Sequence, residues 1–186
     1  MFDFTATSLK FDETAWSIEK GIDFYKWRDA LFKSQIDTEK VGFKANIIEN
    51  HDEPRGASTY LPEYAQNEYG IKMIATTSVL LRGLPFIYQG QEIGMRNCMM
   101  ESIDEYDDIS TINSYKEGIK SGMTEKEALY MCYRISRDNA RTPMQWNSNK
   151  NAGFTSGNPW LKVNQNYTDI NVKDQLENEN SVLRYY

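Results

Sequence analysis

Apolar and polar positions along this chain alternate between two periods. From Ile22 onward, Phe24, Trp27, Leu31 and Gln35 recur at helical spacing with Ala30 and Phe32 beside them, which predicts an amphipathic helix. "VGFKANIIEN" then supplies a short run, Phe43 to Glu49, mostly apolar on both faces, as a parallel strand covered on both sides is. "LPEYAQNEYGIKMIATTSVLLRG" returns to the helical period. There Ile71, Ile74, Ala75, Ser78 and Val79 share a face, and Gly83 is a natural stop. "LPFIYQG" reads as the next buried strand, ended by Gly90. With the strand-like "MFDF" in front, the order is strand, helix, strand, helix, strand. That order argues for right-handed βαβ units in a parallel sheet or barrel, an α/β fold.

After Gly94 the texture changes. "MRNCMMESIDEYDDISTINSYKEGIKSG" is acidic and only weakly periodic. Thr124 and Glu127 then form a capping-box pair that opens a helix over "EKEALYMCYRI". "SRDNARTPMQW" and "NAGFTSGNPWLKVNQNY" follow, dense in Gly, Asn, Pro and aromatics. Residues 95–175 therefore read as one long excursion after a strand, where βα folds keep substrate-binding apparatus. Both ends read as cuts: "MFDF" has no polar lead, and "SVLRYY" looks like the first turns of an uncapped helix.

Composition narrows the classes. Of 186 residues, 40% are hydrophobic and 26% charged, which is ordinary for a globular domain or a large piece of one. A net charge of -6 with no basic tract speaks against nucleic acid and against an anionic membrane surface as partners. A neutral partner such as a sugar is indifferent to that charge. Cys98 and Cys132 lie far apart, without Cys-x-x-Cys and with only one His in the chain, so zinc is disfavoured and no cofactor is implied. Two reduced thiols and no long apolar run fit a cytoplasmic protein.

The candidate chemistry sits in "IIENHDEPR", Ile47 to Arg55, where a buried strand gives way to an Asn, the His, an Asp and their charged neighbours. A lone His at a strand end is often a satisfied structural residue. Beside Asp52, however, His51 makes a pair suited to vicinal sugar hydroxyls, the carboxylate accepting from two O–H groups and the imidazole donating to one.

"ENHDEPR" resembles the fourth short signature of the α-amylase family of glycoside hydrolases, and "LPFIYQGQEIGM" resembles its following barrel strand. "SIDEYDDISTINSY", "SRDNARTPMQW" and "NAGFTSGNPWLKVNQNY" resemble the oligo-1,6-glucosidase/α-glucosidase branch. The resemblance runs through nearly the whole chain in order. It implies a (β/α)8 TIM barrel, of which residues 1–186 would form the carboxyl-terminal part. That part would run from the end of the sixth strand through strands seven and eight, with the rest of the barrel supplied by sequence upstream. It also implies a retaining α-glucosidase acting on a small α-glucoside oligosaccharide. Asp52 would be the helper carboxylate that favours the distorted ring, His51 its neighbour on the sugar, and Arg137 the cation at the terminal sugar's 4-hydroxyl. Retention needs a nucleophile and an acid/base carboxylate about 5 Å apart. The resemblance puts both on earlier strands, and neither Glu49, Glu53 nor Glu92 is assigned those roles. The chain is accordingly expected to be inactive by itself.

Arg55 and Arg141 are read as holding loops in place, and Trp146 and Trp160 as packing rather than as sugar platforms. A phosphotrehalose hydrolase is the near alternative. A sucrose isomerase ranks lower, because "TSLKFDETAW" lacks the arginine-rich loop of that group. A catalytically silent homologue acting as an interaction domain, or a free-standing carbohydrate-binding module, are the readings from other classes.

Overall fold

The structure, a computed structural model, describes residues 2–6, 9 and 22–186. "TSLKFDETAW" lies outside the described residues apart from Leu9. Two strands, β1 (Ala45–Ile47) and β2 (Leu84–Phe86), pair in parallel with Ala45 opposite Leu84 and Ile47 opposite Phe86. Successive carbonyls of an extended chain point to opposite edges. Lys44 O accordingly accepts from Leu84 N–H at 2.9 Å on one side, and Ala45 O from Asp3 N–H at 3.0 Å on the other. Phe2 bridges Ala45 in parallel there, so the lateral order is Phe2, β1, β2.

Helix α1 (Phe24–Thr38) starts at Asp23, whose carboxylate accepts from the N–H groups of Tyr25 and Lys26. Its inward stripe is Trp27, Ala30, Leu31 and Ser34, so the helix is rotated relative to the expected face and Phe24 and Phe32 lie exposed. A short α2 (Gly56–Tyr60) leaves the end of β1, and α3 (Glu68–Leu80) leads into β2. Ile71, Ile74, Ala75 and Ser78 of α3 are buried as expected, whereas Val79 is exposed. Trp27, Ile48, Tyr60, Leu61, Ile71, Ile74 and Val182 form one core, with α1, α3 and the terminal α8 (Val182–Tyr185) around it. That last helix does have a cap: Ser181 Oγ accepts from Arg184 N–H.

Three expectations need correction. The first strand is shorter than Phe43 to Glu49: Phe43 is exposed and Glu49 has left the ladder. The second strand is not buried, since Leu84, Phe86 and Ile87 are exposed. Its outer edge has no strand partner among the described residues. Trp146 and Trp160, expected to pack, stand 48% and 60% exposed.

The excursion after β2 holds more helix than its weak periodicity announces. Residues Ile109–Lys120 form α4, packed antiparallel against α5 (Glu125–Ile135), whose Thr124–Glu127 capping box is present. The pair encloses its own small core of Cys98, Met100, Tyr106, Met131 and Cys132. Helix α4 is specified by its Asp108 cap and by this packing, to which Ile112 and Tyr115 contribute. A four-residue turn, α6 (Asp138–Arg141), and a last short helix, α7 (Val172–Glu177), follow. No helix among the described residues is long and apolar enough to cross a membrane.

Candidate active site

Beyond Ile47 the chain leaves the sheet and turns sharply. Asn50 makes the turn by accepting from Asp52 N–H through its side chain (2.7 Å) and from Glu53 N–H through its carbonyl (3.3 Å). His51 and Asp52 therefore ride on a turn tip at the carboxyl end of β1, both exposed. Beneath them is a cavity of about 480 Å³, lined by Phe2, Phe4, Ile47, Phe86 and Tyr88 as well as by Glu49 and residues 50–53. This is a volume suited to a small organic ligand.

The α6 turn packs against this turn tip. Arg137, just before it, and Arg141, at its end, are four residues apart and therefore share one side of a helical turn. Both reach the same carboxylate oxygen: Arg137 Nη1 and Arg141 Nη2 each lie 3.2 Å from Asp52 Oδ1. Asp52 Oδ2 lies 3.1 Å from His51 Nε2. Arg141 Nε also donates to the His51 carbonyl at 3.0 Å, fixing the turn tip itself. The structure thus brings His51, Asp52 and Arg137 together although the last two are 85 positions apart in the chain.

Two side chains that sequence reasoning passed over complete the cluster. Arg141, read as a loop brace, does brace the loop but also touches Asp52. Its i,i+4 spacing from Arg137 was the available signal. Asp108 is the other: its Oδ1 accepts from Arg137 Nε at 2.6 Å, and its Oδ2 accepts from Thr111 N–H at 3.0 Å and Thr111 Oγ1 at 2.8 Å. Burial pushes the Asp108 carboxyl up, but the Thr111 and Arg137 hydrogen bonds outweigh it and hold the group below the usual carboxylate range. The same contact holds the Arg137 guanidinium more firmly protonated.

Behind the site lies a buried hub. Arg55 Nη1 pairs with Glu49 Oε1 at 2.9 Å and donates to Gln89 O at 2.7 Å, while Nε and Nη2 donate to Asn139 O and Ala140 O at 3.2 Å each. One guanidinium thereby joins the ends of β1 and β2 to α6. Gly56 N–H takes the other Glu49 oxygen. Burial lifts the Glu49 carboxyl above the usual range despite the opposing pull of Arg55. Gly90, at φ 87°, passes so close that a Cβ there would sit 3.0 Å from Arg55 Nη1. No group of three or more His, Cys, Asp or Glu that could hold a metal ion occurs among the described residues.

Chemically, the cluster offers one anionic acceptor, one imidazole and two guanidinium groups at the mouth of a partly apolar cavity. Such an array can hold a hydroxyl-rich ligand and can oppose positive charge arising beside Asp52. The catalytic-domain model of alpha amylase matches residues 1–186. The oligo-1,6-glucosidase of Parageobacillus thermoglucosidasius is 43% identical over 178 residues, which are 95% of this chain and 31% of that protein. Among solved structures, the trehalose-6-phosphate hydrolase of Bacillus licheniformis superposes with a TM-score of 0.91 at 36% identity. It covers 100% of this chain and 34% of its own. The trehalulose synthase of Pseudomonas mesoacidophila gives 0.89 at 35%, with the same coverage. These neighbours are TIM-barrel enzymes. The chain spans about a third of the length of the relatives it matches. On the match along its whole length, this chain belongs to the alpha-amylase catalytic-domain family.

Proposed function

We propose that this chain is part of a retaining α-glucosidase of the oligo-1,6-glucosidase type, which removes terminal glucose from short α-glucosides. Asp52 is the carboxylate that stabilises the transition state, and His51 and Arg137 bind the terminal sugar. The observation that carries this reading is the convergence of His51, Arg137 and Arg141 on Asp52 over the cavity. In the same reading, Phe2, β1 and β2 belong to the sixth, seventh and eighth barrel strands, and their parallel lateral order supports it. Residues 95–175 are then the substrate-side excursion after the eighth strand. The nucleophile and the acid/base carboxylate come from elsewhere in a protein about three times longer, as the relatives are. The 186 residues alone hydrolyse nothing.

A phosphotrehalose hydrolase is the second reading, favoured by the 0.91 superposition. Against it, both arginines beside Asp52 are already paired with carboxylates, Arg137 with Asp108 and Asp52 and Arg141 with Asp52. Neither is an uncommitted phosphate ligand.

The test is Asp52→Asn in the full-length protein, assayed on maltose, isomaltose and trehalose 6-phosphate. The exchange keeps the side chain's size and removes the charge that opposes the oxocarbenium-like centre. The expected result is a fall in kcat of about 100-fold or more with the circular dichroism spectrum unchanged. A kcat near that of the parent removes Asp52 from the mechanism. A preference for the phosphorylated substrate selects the second reading.

A further inference from the structure

We propose that Asp108 is a positioning residue, which aims the Arg137 guanidinium at Asp52 on the rim of the pocket and so makes the cap of α4 part of terminal-sugar recognition. This deepens the function proposed above and rests on Arg137 binding the sugar.

A guanidinium is planar, so a partner on Nε fixes both the plane and the direction of the two Nη groups. Asp108 Oδ1 holds Nε at 2.6 Å, and Nη1 then points to Asp52 Oδ1 at 3.2 Å. Of the Asp108–Arg137 pair, Asp108 is the immobile member. Its side chain is 3% exposed against 37% for Arg137. Its other oxygen is held by the Thr111 amide and hydroxyl. Its backbone is held as well, because Asp138 Oδ2 accepts from the N–H groups of Asp107 and Asp108 at 2.9 and 2.8 Å.

Arg137 and Asp138 are consecutive residues. The α6 turn and the start of α4 therefore grip each other twice, once in each direction, side chain to carboxylate and carboxylate to backbone. A helix cap alone needs only the Oδ2 contacts; the Oδ1 contact serves Arg137. An ionised Asp108 also offsets the like charges of Arg137 and Arg141, which share Asp52 Oδ1.

The experiment is a double-mutant cycle in the full-length protein, Asp108→Asn and Arg137→Ala singly and together, read as kcat/KM on maltose and isomaltose. Asp108→Asn is expected to lower kcat/KM about tenfold, mostly through KM, in the parent background. It should cause no further loss once Arg137 is alanine. Thr111→Val, which removes a cap contact but leaves the Arg137 contact, separates helix stability from positioning. It should lower Tm while leaving KM unchanged. Equal losses from Asp108→Asn in both backgrounds, or no loss in the parent, overturn the proposal. So does a Thr111→Val variant that raises KM as Asp108→Asn does. An Arg137→Ala variant with unaltered kcat/KM overturns the sugar-binding reading itself, and the positioning role with it; a large Arg137→Ala loss beside a silent Asp108→Asn overturns only the latter.

Discussion

Arg55 and Glu49 form a buried ion pair of 2.9 Å directly behind the turn that carries His51 and Asp52. Six positions apart in sequence, they close the end of β1 onto the start of α2. The same guanidinium also holds carbonyls of residues 89, 139 and 140, which belong to the end of β2 and to α6. The pair therefore ties the ends of β1 and β2 and the α6 turn to one another. It is also costly to disturb, because neither charge has access to water.

Glu49→Gln in the full-length protein should lower stability by about 3–5 kcal/mol, measured as a shift in the urea midpoint, because it leaves the Arg55 charge uncompensated. Replacing both partners by apolar residues should not restore it. Three backbone carbonyls lose their donor in that double variant, and buried acceptors left unpaired are themselves expensive. Recovery of parent stability in the double variant would show that the hub is dispensable.

Asp108 makes stability depend on acid in a defined direction. Its folded value lies below the ordinary 3.8, so the carboxylate is favoured by folding. That contribution is fully present above the unfolded value and is lost as pH falls through 3.8 toward the folded value. The Tm difference between the parent and Asp108→Asn should be constant at neutral pH and close below 3.8. A gap that persists unchanged into that acid range would contradict the charged cap.

Both cysteines should be inert in the folded protein. Burial pushes the thiols of Cys98 and Cys132 up to about 11, and both are enclosed by the α4–α5 core. At pH 8 almost no thiolate is present, and both thiols are buried. Iodoacetamide should label neither residue natively and both in urea, as mass spectrometry would register. Rapid native labelling would mean that the hairpin opens on that time scale.

The 186 residues expressed alone should bind a hydrophobic dye and tend to aggregate. Leu84, Phe86 and Ile87 present apolar side chains along a strand whose outer edge is unpaired among the described residues. A sharp two-state melt without dye binding would be the contrary result.

The sequence by itself determined the alternation of parallel strands and helices, the inward face of α3 and the capping box of α5. Each depends on residues close together in the chain, where periodicity and cap chemistry act directly. It also singled out His51, Asp52 and Arg137, the first two by their crowding at a strand end and the third through the family resemblance. Only the tertiary structure decided how they meet. The rotation of α1 and the exposure of β2 depend on what packs against them, which no local pattern records. The same holds for the site's supporting charges. Asp108 and Arg137 are 29 positions apart and Arg141 and Asp52 are 89, and nothing local distinguishes a buried, paired carboxylate from a solvated one. They meet because folding carries α6 across the ends of both strands, within reach of a single carboxylate.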